Sequence, residues 1–121
     1  MHKEKIRRGD IFYANLNPVA GSEQGDRRPV LIVQNNTGND HSSTVIVVPF
    51  TRNLRKNPLP THVVIPHSCG LEGDSLALTE QIRTIDRRRL SDYIGRIEDG
   101  DLLREIDKAL AIGIGLGRAG T

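Results

Sequence analysis

Short β-branched apolar runs, each closed off by turn residues, recur along the chain as far as residue 97, and they restrict the fold more than any other feature. Pro29–Gln34 is the most apolar and reads as a buried strand. Thr44–Phe50 is similar, and Pro49 predicts a bend or a strand edge there. Asp10–Leu16, opened by Gly9 and closed by Asn17-Pro18, is a third run. Thr61–Ile65, Ser75–Thr79 and Tyr93–Ile97 complete the set, with a short helical turn expected over Asp86–Leu90. Only Asp99–Ala111 has helical spacing. Asp99 is placed to cap it, Asp101 lies in its first turn, and Leu102, Leu103, Ile106, Ala109 and Leu110 form one apolar stripe. Beyond Ile112 the glycines at 113, 115 and 117 weaken a helix by about 1 kcal/mol each. Five or six strands with one terminal helix predict an α+β, mostly β chain: a small antiparallel barrel whose closure removes exposed edges.

The 121 residues fit a single domain spanning 1–121, without internal repeats. Hydrophobic residues at 36% and charged residues at 26% describe a globular chain rather than a disordered one. Cys69 is the only cysteine, which excludes an intramolecular disulfide. No apolar run is long enough for a signal peptide or a membrane span, so a cytoplasmic protein with no membrane partner is expected. The aromatics are Phe12, Tyr13, Phe50 and Tyr93, too few for a surface that stacks many bases.

Charge is unevenly spread. Nine of the seventeen Lys and Arg lie in residues 1–56, against five of the fifteen Asp and Glu. Arg27, Arg28, Arg52, Arg55 and Lys56 fall in two long polar stretches, Asn17–Arg28 and Thr51–Pro60. If these are neighbouring loops they make one basic patch suited to phosphates; otherwise they are a solvated face.

The most informative stretch is Gly21-Ser-Glu23-Gln24-Gly25-Asp-Arg27-Arg28-Pro29. Its glycines predict a mobile, backbone-exposed loop. Arg28 precedes proline and is held extended at the mouth of a buried strand. Its planar guanidinium can donate two parallel hydrogen bonds to a phosphate. Thr51, closing the Thr44–Phe50 run, offers a hydroxyl to a phosphate oxygen or simply ends a turn. Leu78–Ile85 mixes Glu80, Gln81 and Arg83 with hydroxyls on a strand-like segment that lines a cleft or makes structural hydrogen bonds. The remaining patterns are weaker. His67-Ser68-Cys69 lacks an activated Cys–His geometry, so Cys69 reads as inert. His2, His41, His62 and His67 lack metal-ligand spacing, so no metal and no cofactor are expected, although two of them could form an acid–base pair. Arg87-Arg88-Arg89 reads as a solvated face.

Taken together, Gly9-Asp10-Ile-Phe-Tyr-Ala-Asn-Leu, Asn17-Pro18, Gly21-Ser22-Glu23-Gln24-Gly25, Arg28-Pro29-Val30-Leu31, Gln34-Asn35, Pro60-Thr61-His62-Val63, Asp74-Ser75 and Glu80–Asp86 resemble the MazF/PemK toxin family in order and spacing. The resemblance spans about residues 6–112 and is strongest to the Firmicutes branch. It implies a CcdB/Kid-like, SH3-like barrel that forms a homodimer. It implies sequence-specific, metal-independent cleavage of single-stranded mRNA, as the toxin of a type II toxin–antitoxin system that inhibits translation and growth. The family's catalytic Arg and Thr match Arg28 and Thr51. Glu23 is a weaker carry-over for substrate contact, and Gln24, Arg27, Arg52, Glu80 and Gln81 are the other candidate substrate-binding residues. The implied partner is a cognate antitoxin whose acidic disordered segment covers the RNA groove. The Gly113–Gly117 end departs from the apolar helix usual in the family.

RNA carries its own nucleophile, the 2′-hydroxyl. Its cleavage to a 2′,3′-cyclic phosphate and a 5′-hydroxyl needs a base, an acid and a cation for the phosphorane. Arg28 fits the cation role. An Arg pKa above about 12 makes it a poor base, which leaves Glu23, a histidine or water for proton transfer. Two other classes stand beside this reading: a CcdB-like non-enzymatic toxin that binds a topoisomerase, and a non-catalytic RNA-binding barrel.

Overall fold

The computed structural model describes residues 5–55 and 58–117. Among them the elements in chain order are β1 Asp10–Asn15, β2 Arg27–Ile32, α1 Asn36–His41, β3 Thr44–Thr51, β4 His62–Ile65, β5 Ser75–Leu78, β6 Arg83–Asp86, β7 Leu90–Arg96 and α2 Gly100–Gly113. The strands form one antiparallel sheet in the order β4-β5-β3-β2-β1-β7, with β6 joining β3.

β3 organises the sheet. Thr44–Val47 pair with β6, Phe50 and Thr51 pair with β5, and Val47–Pro49 pair with β2. Pro49 falls between the β6 and β5 ladders, where its missing N–H breaks neither of them. It therefore marks a change of partner in an interior strand, not an edge.

Strand alternation divides the apolar side chains between two cores. Ile11, Leu31, Val48 and Phe50 pack with Ile106 and Ala109 of α2. Phe12, Ala14, Val30, Ile32, Val45, Val47 and Ile85 form the second core. Each fully buried Ile or Phe contributes roughly 1.5–3 kcal/mol. The stripe expected on α2 faces the first core, with Leu102, Leu103 and Leu110 packed at its margin. The Asp99 carboxylate caps the helix by accepting from the Asp101 N–H at 2.9 Å. The helix ends at Gly113, and the N–H groups of Leu116 and Gly117 turn back to the Ala111 carbonyl.

A mostly antiparallel β chain with a C-terminal helix is as expected, but the ladder does not run full circle. β4 and β7 terminate the path without pairing among the described residues. The gap is filled by the 3-10 turn His67–Cys69, which lies directly against β7 at Gly95. α1 is a further difference. Its Asn-Thr-Gly-Asn-Asp-His sequence has no apolar stripe, and it is fixed by the Asn35 side chain accepting from Gly38 N–H and by buried Asn39 bonded to Gln34. β6 and the 3-10 turn Thr79–Gln81 divide the segment read as one strand-like stretch. No helix among the described residues is long and apolar enough to cross a membrane.

Candidate active site

The β1–β2 loop is tied down at its base. Asn17 Nδ2 donates to Asp26 Oδ1 at 3.1 Å, and the Asp26 backbone N–H donates to Asn17 Oδ1 at 3.0 Å. Asp26 has φ 62°, a conformation that Asp and Asn tolerate better than most residues. Gly25 is required beside it, because a Cβ there would lie 2.7 Å from Val19 Cγ2 and 2.8 Å from Asn17 Oδ1. Higher in the loop, Glu23 Oε1 accepts from the Ala20 N–H at 2.7 Å. Gln81 reaches across from its 3-10 turn, accepting from the Gln24 N–H at 2.7 Å and donating to the Ser22 carbonyl at 3.4 Å. The loop read as mobile is thus hydrogen-bonded at both its base and its flank.

Arg28 lies on β2 opposite Ala14 of β1. Its Nε donates to the Gly25 carbonyl at 2.6 Å, and Nη1 to the Phe50 carbonyl at 3.4 Å. Continuing the β2–β3 register of Val30↔Pro49 by two residues sets Arg28 opposite Thr51. Thr51 is buried, and its hydroxyl oxygen accepts from the Asn53 N–H at 3.2 Å, leaving its hydrogen to donate. Among the described residues Arg28 pairs with no carboxylate, and Nη2 remains available as a donor. The structure therefore brings Arg28 and Thr51 together, with the guanidinium held by two main-chain oxygens.

Arg27 is not part of this pair. Its guanidinium lies 4.0 Å over the Tyr13 ring and bonds to Asp92 at 3.1 Å. It borders a separate open hollow of about 800 Å³ shared with Asn17, Arg88 and Arg89. Arg52 follows Thr51 and pairs loosely with Glu72 at 3.7 Å. The expected basic patch is thus divided: Arg28 lies opposite Thr51, Arg52 turns to Glu72, Arg27 lies over Tyr13, and Lys56 lies outside the described residues, as does His2. Glu23, Gln24, Glu80 and Gln81 line one hollow of about 470 Å³. The Glu80 carboxylate in turn accepts from Thr61 Oγ1 at 3.0 Å and meets His62 Nε2 at 3.1 Å.

Arg83, named in the Leu78–Ile85 stretch but not among the candidate site residues, lines the same hollow and donates to the Leu16 carbonyl at 3.0 Å. Its place two residues before buried Ile85, on the same strand face, was the available signal. His62 and His67 each meet a carboxylate, Glu80 and Asp74, rather than one another. Burial and the nearby Asp99 push the Cys69 thiol up. Among the described residues no three His, Cys, Asp or Glu side chains are grouped to hold a metal ion.

A barrel-like sheet with a C-terminal helix and an arginine–threonine pair at the strand mouths defines a class that comparison identifies. The family model described as PemK-like, MazF-like toxin of type II toxin–antitoxin system matches residues 7–114, and the chain belongs to that family. It is 48% identical over 112 residues to the endoribonuclease EndoA of Bacillus subtilis (strain 168), covering 92% of this chain and 96% of EndoA. MazF from Deinococcus radiodurans superposes with a TM-score of 0.79 at 27% identity, covering 93% of this chain and 99% of MazF. An endoribonuclease in complex with its cognate antitoxin, from a mycobacterial species, gives a TM-score of 0.72 at 28% identity over 96% of this chain and 99% of its own.

Proposed function

We propose that this chain, an endoribonuclease toxin of the PemK/MazF family, cuts single-stranded mRNA at specific sequences without a metal ion. The ribose 2′-oxygen forms a bond to phosphorus and gives up its proton. The bond from phosphorus to the 5′-oxygen breaks, and that oxygen gains a proton. A 2′,3′-cyclic phosphate and a 5′-hydroxyl result. Arg28 stabilises the phosphorane charge, and Thr51 donates to the same group. The observation that carries this reading is the guanidinium of Arg28, fixed on the Gly25 and Phe50 carbonyls beside Thr51 and unpaired with any carboxylate among the described residues. Donors held in place before the charge develops are the strongest source of such stabilisation.

Glu23, Gln24, Glu80 and Gln81 contact the bound strand from their shared hollow, while Arg27 and Arg52 attract phosphates. The partner is an antitoxin with an acidic disordered segment that folds over the Arg28–Thr51 side and competes with RNA. The toxin works as a homodimer in the cytoplasm, where mRNA cleavage halts translation and growth. Membership of the toxin family, whose relative EndoA is an endoribonuclease, disfavours a topoisomerase-binding or non-catalytic role. The test is cleavage of a defined RNA in excess EDTA, with and without a single 2′-deoxy substitution at the cut site. The unmodified RNA is expected to give cyclic-phosphate ends and the substituted RNA to survive. Cutting of the substituted strand, or a requirement for added metal, would overturn the mechanism.

A further inference from the structure

We infer that Asn17 is a positioning residue for Arg28, acting through one peptide group. The inference rests on the reading of Arg28 as the phosphorane-stabilising cation. The peptide joining Gly25 to Asp26 is gripped at both ends. Its N–H, from Asp26, donates to Asn17 Oδ1 at 3.0 Å. Its carbonyl, from Gly25, accepts from Arg28 Nε at 2.6 Å. A peptide group is planar, so fixing the N–H fixes the direction of the carbonyl. Donation at the N–H also polarises that carbonyl and makes it a stronger acceptor.

Asn17 itself is held by the reverse bond, Nδ2 to Asp26 Oδ1 at 3.1 Å. The Leu16 N–H donates to the Asp26 carbonyl at 2.9 Å, closing the loop base beside it. Gly25 leaves the space that the Asn17 side chain occupies. Asn17 borders the hollow on the Arg27 side and makes no bond to Arg28. Its effect on the reaction therefore passes through the Gly25–Asp26 peptide.

The two side chains of the clasp can be exchanged. Asn17→Asp alone sets two carboxylates against each other. Asn17→Asp combined with Asp26→Asn restores one acceptor for the backbone N–H and one donor–acceptor pair, at unchanged net charge. Asn at position 26 also suits the positive φ.

The experiment is single-turnover RNA cleavage at saturating and sub-saturating RNA by wild type, Asn17→Ala, Asn17→Asp, the exchanged double variant and Arg28→Ala, with Tm recorded for each. Asn17→Ala and Asn17→Asp are expected to lower the saturated rate by about 10-fold, within the range for a misplaced reacting group, with the RNA concentration for half-saturation little changed. The exchanged pair is expected to recover most of the rate. The Arg28 Nε–H resonance should shift in Asn17→Ala and return in the double variant. A wild-type rate for Asn17→Ala, a loss confined to RNA affinity, or an exchanged pair as slow as the single variants would overturn the positioning role. If Arg28→Ala itself cleaves normally, it is the assignment of Arg28 that falls. Normal cleavage by Asn17→Ala beside an inactive Arg28→Ala removes only the inference about Asn17.

Discussion

Arg27 and Arg28 are adjacent in the chain, yet their guanidiniums lie on opposite faces of β2. One sits over Tyr13 and pairs with Asp92; the other is bound to the Gly25 and Phe50 carbonyls next to Thr51.

This separation predicts different defects from equal losses of charge. Arg28→Ala should lower the single-turnover rate at saturating RNA by about 100-fold or more, the size expected for one lost transition-state donor. Arg28→Lys should recover little, because an ammonium cannot reproduce the two-pronged contact. Arg27→Ala should act on affinity alone, and its defect should shrink as salt rises. Thr51→Ser should be milder than Thr51→Ala, because the hydroxyl is kept. Equal defects for the two arginines would contradict separate roles for the two faces of β2.

Much of this arrangement was legible in the residues. The β-branched runs gave six strand positions, and the stripe from Leu102 to Leu110 gave α2 with its Asp99 cap. The Arg28-Pro29 step located the guanidinium at a strand mouth. α1 was not legible, because side-chain hydrogen bonds from Asn35 and Asn39 hold it and no apolar period marks it. The division of Arg27 from Arg28 follows from strand alternation, but only once both residues are known to lie inside β2 rather than in the preceding loop. The Asn17–Asp26 clasp joins residues nine apart through a positive-φ turn, which no local pattern announces.

The unpaired gap between β4 and β7 makes Gly95 a stability position. A Cβ on Gly95 would fall inside the contact distance of the Cys69 carbonyl oxygen, and one on Gly70 would come within 2.6 Å of the Ile94 carbonyl oxygen. The obstructing atoms are backbone, so they cannot swing aside. Gly95→Ala should destabilise the chain by about 1–3 kcal/mol or more in urea unfolding. Gly21→Ala serves as the control. Its φ is also positive at 54°, but nothing lies within 4 Å of the added atom, so only about 1–2 kcal/mol of backbone strain applies. A Gly95→Ala chain as stable as wild type would mean that the turn and β7 are not packed as described.

Asp86 links stability to pH. The Arg88 side chain, donating from Nε at 3.0 Å and Nη2 at 3.1 Å, and the Arg88 backbone N–H at 2.8 Å hold its carboxyl at about 2. The folded value lies below the ordinary 3.8, so the charged form is favoured by folding. The stabilisation is therefore complete above about pH 4 and is lost as pH falls through about 2. Asp86→Asn keeps an acceptor for the Arg88 N–H but removes the charge. Urea midpoints of wild type and variant should differ at pH 6 and converge as pH falls through this window. A gap that does not change with pH would show that the carboxylate charge contributes nothing.

Cys69 supplies a test of what the site does not use. A thiol reacts as its thiolate, so anything that raises its pKa slows it. Here burial raises it first, and the Asp99 carboxylate adds to the effect. The thiol packs at the margin of the first core, while its backbone carbonyl faces Gly95. At pH 8 iodoacetamide should therefore alkylate Cys69 more slowly than it does free glutathione. Asp99→Asn should speed the reaction, since Asn still caps α2 but no longer disfavours the thiolate. Cys69→Ser should leave RNA cleavage at the wild-type rate, because the phosphorane is served by Arg28 and Thr51. Alkylation as fast as that of the free thiol would contradict the burial and charge assigned to Cys69. A loss of cleavage in a fully folded Cys69→Ser chain would place the thiol in the reaction after all.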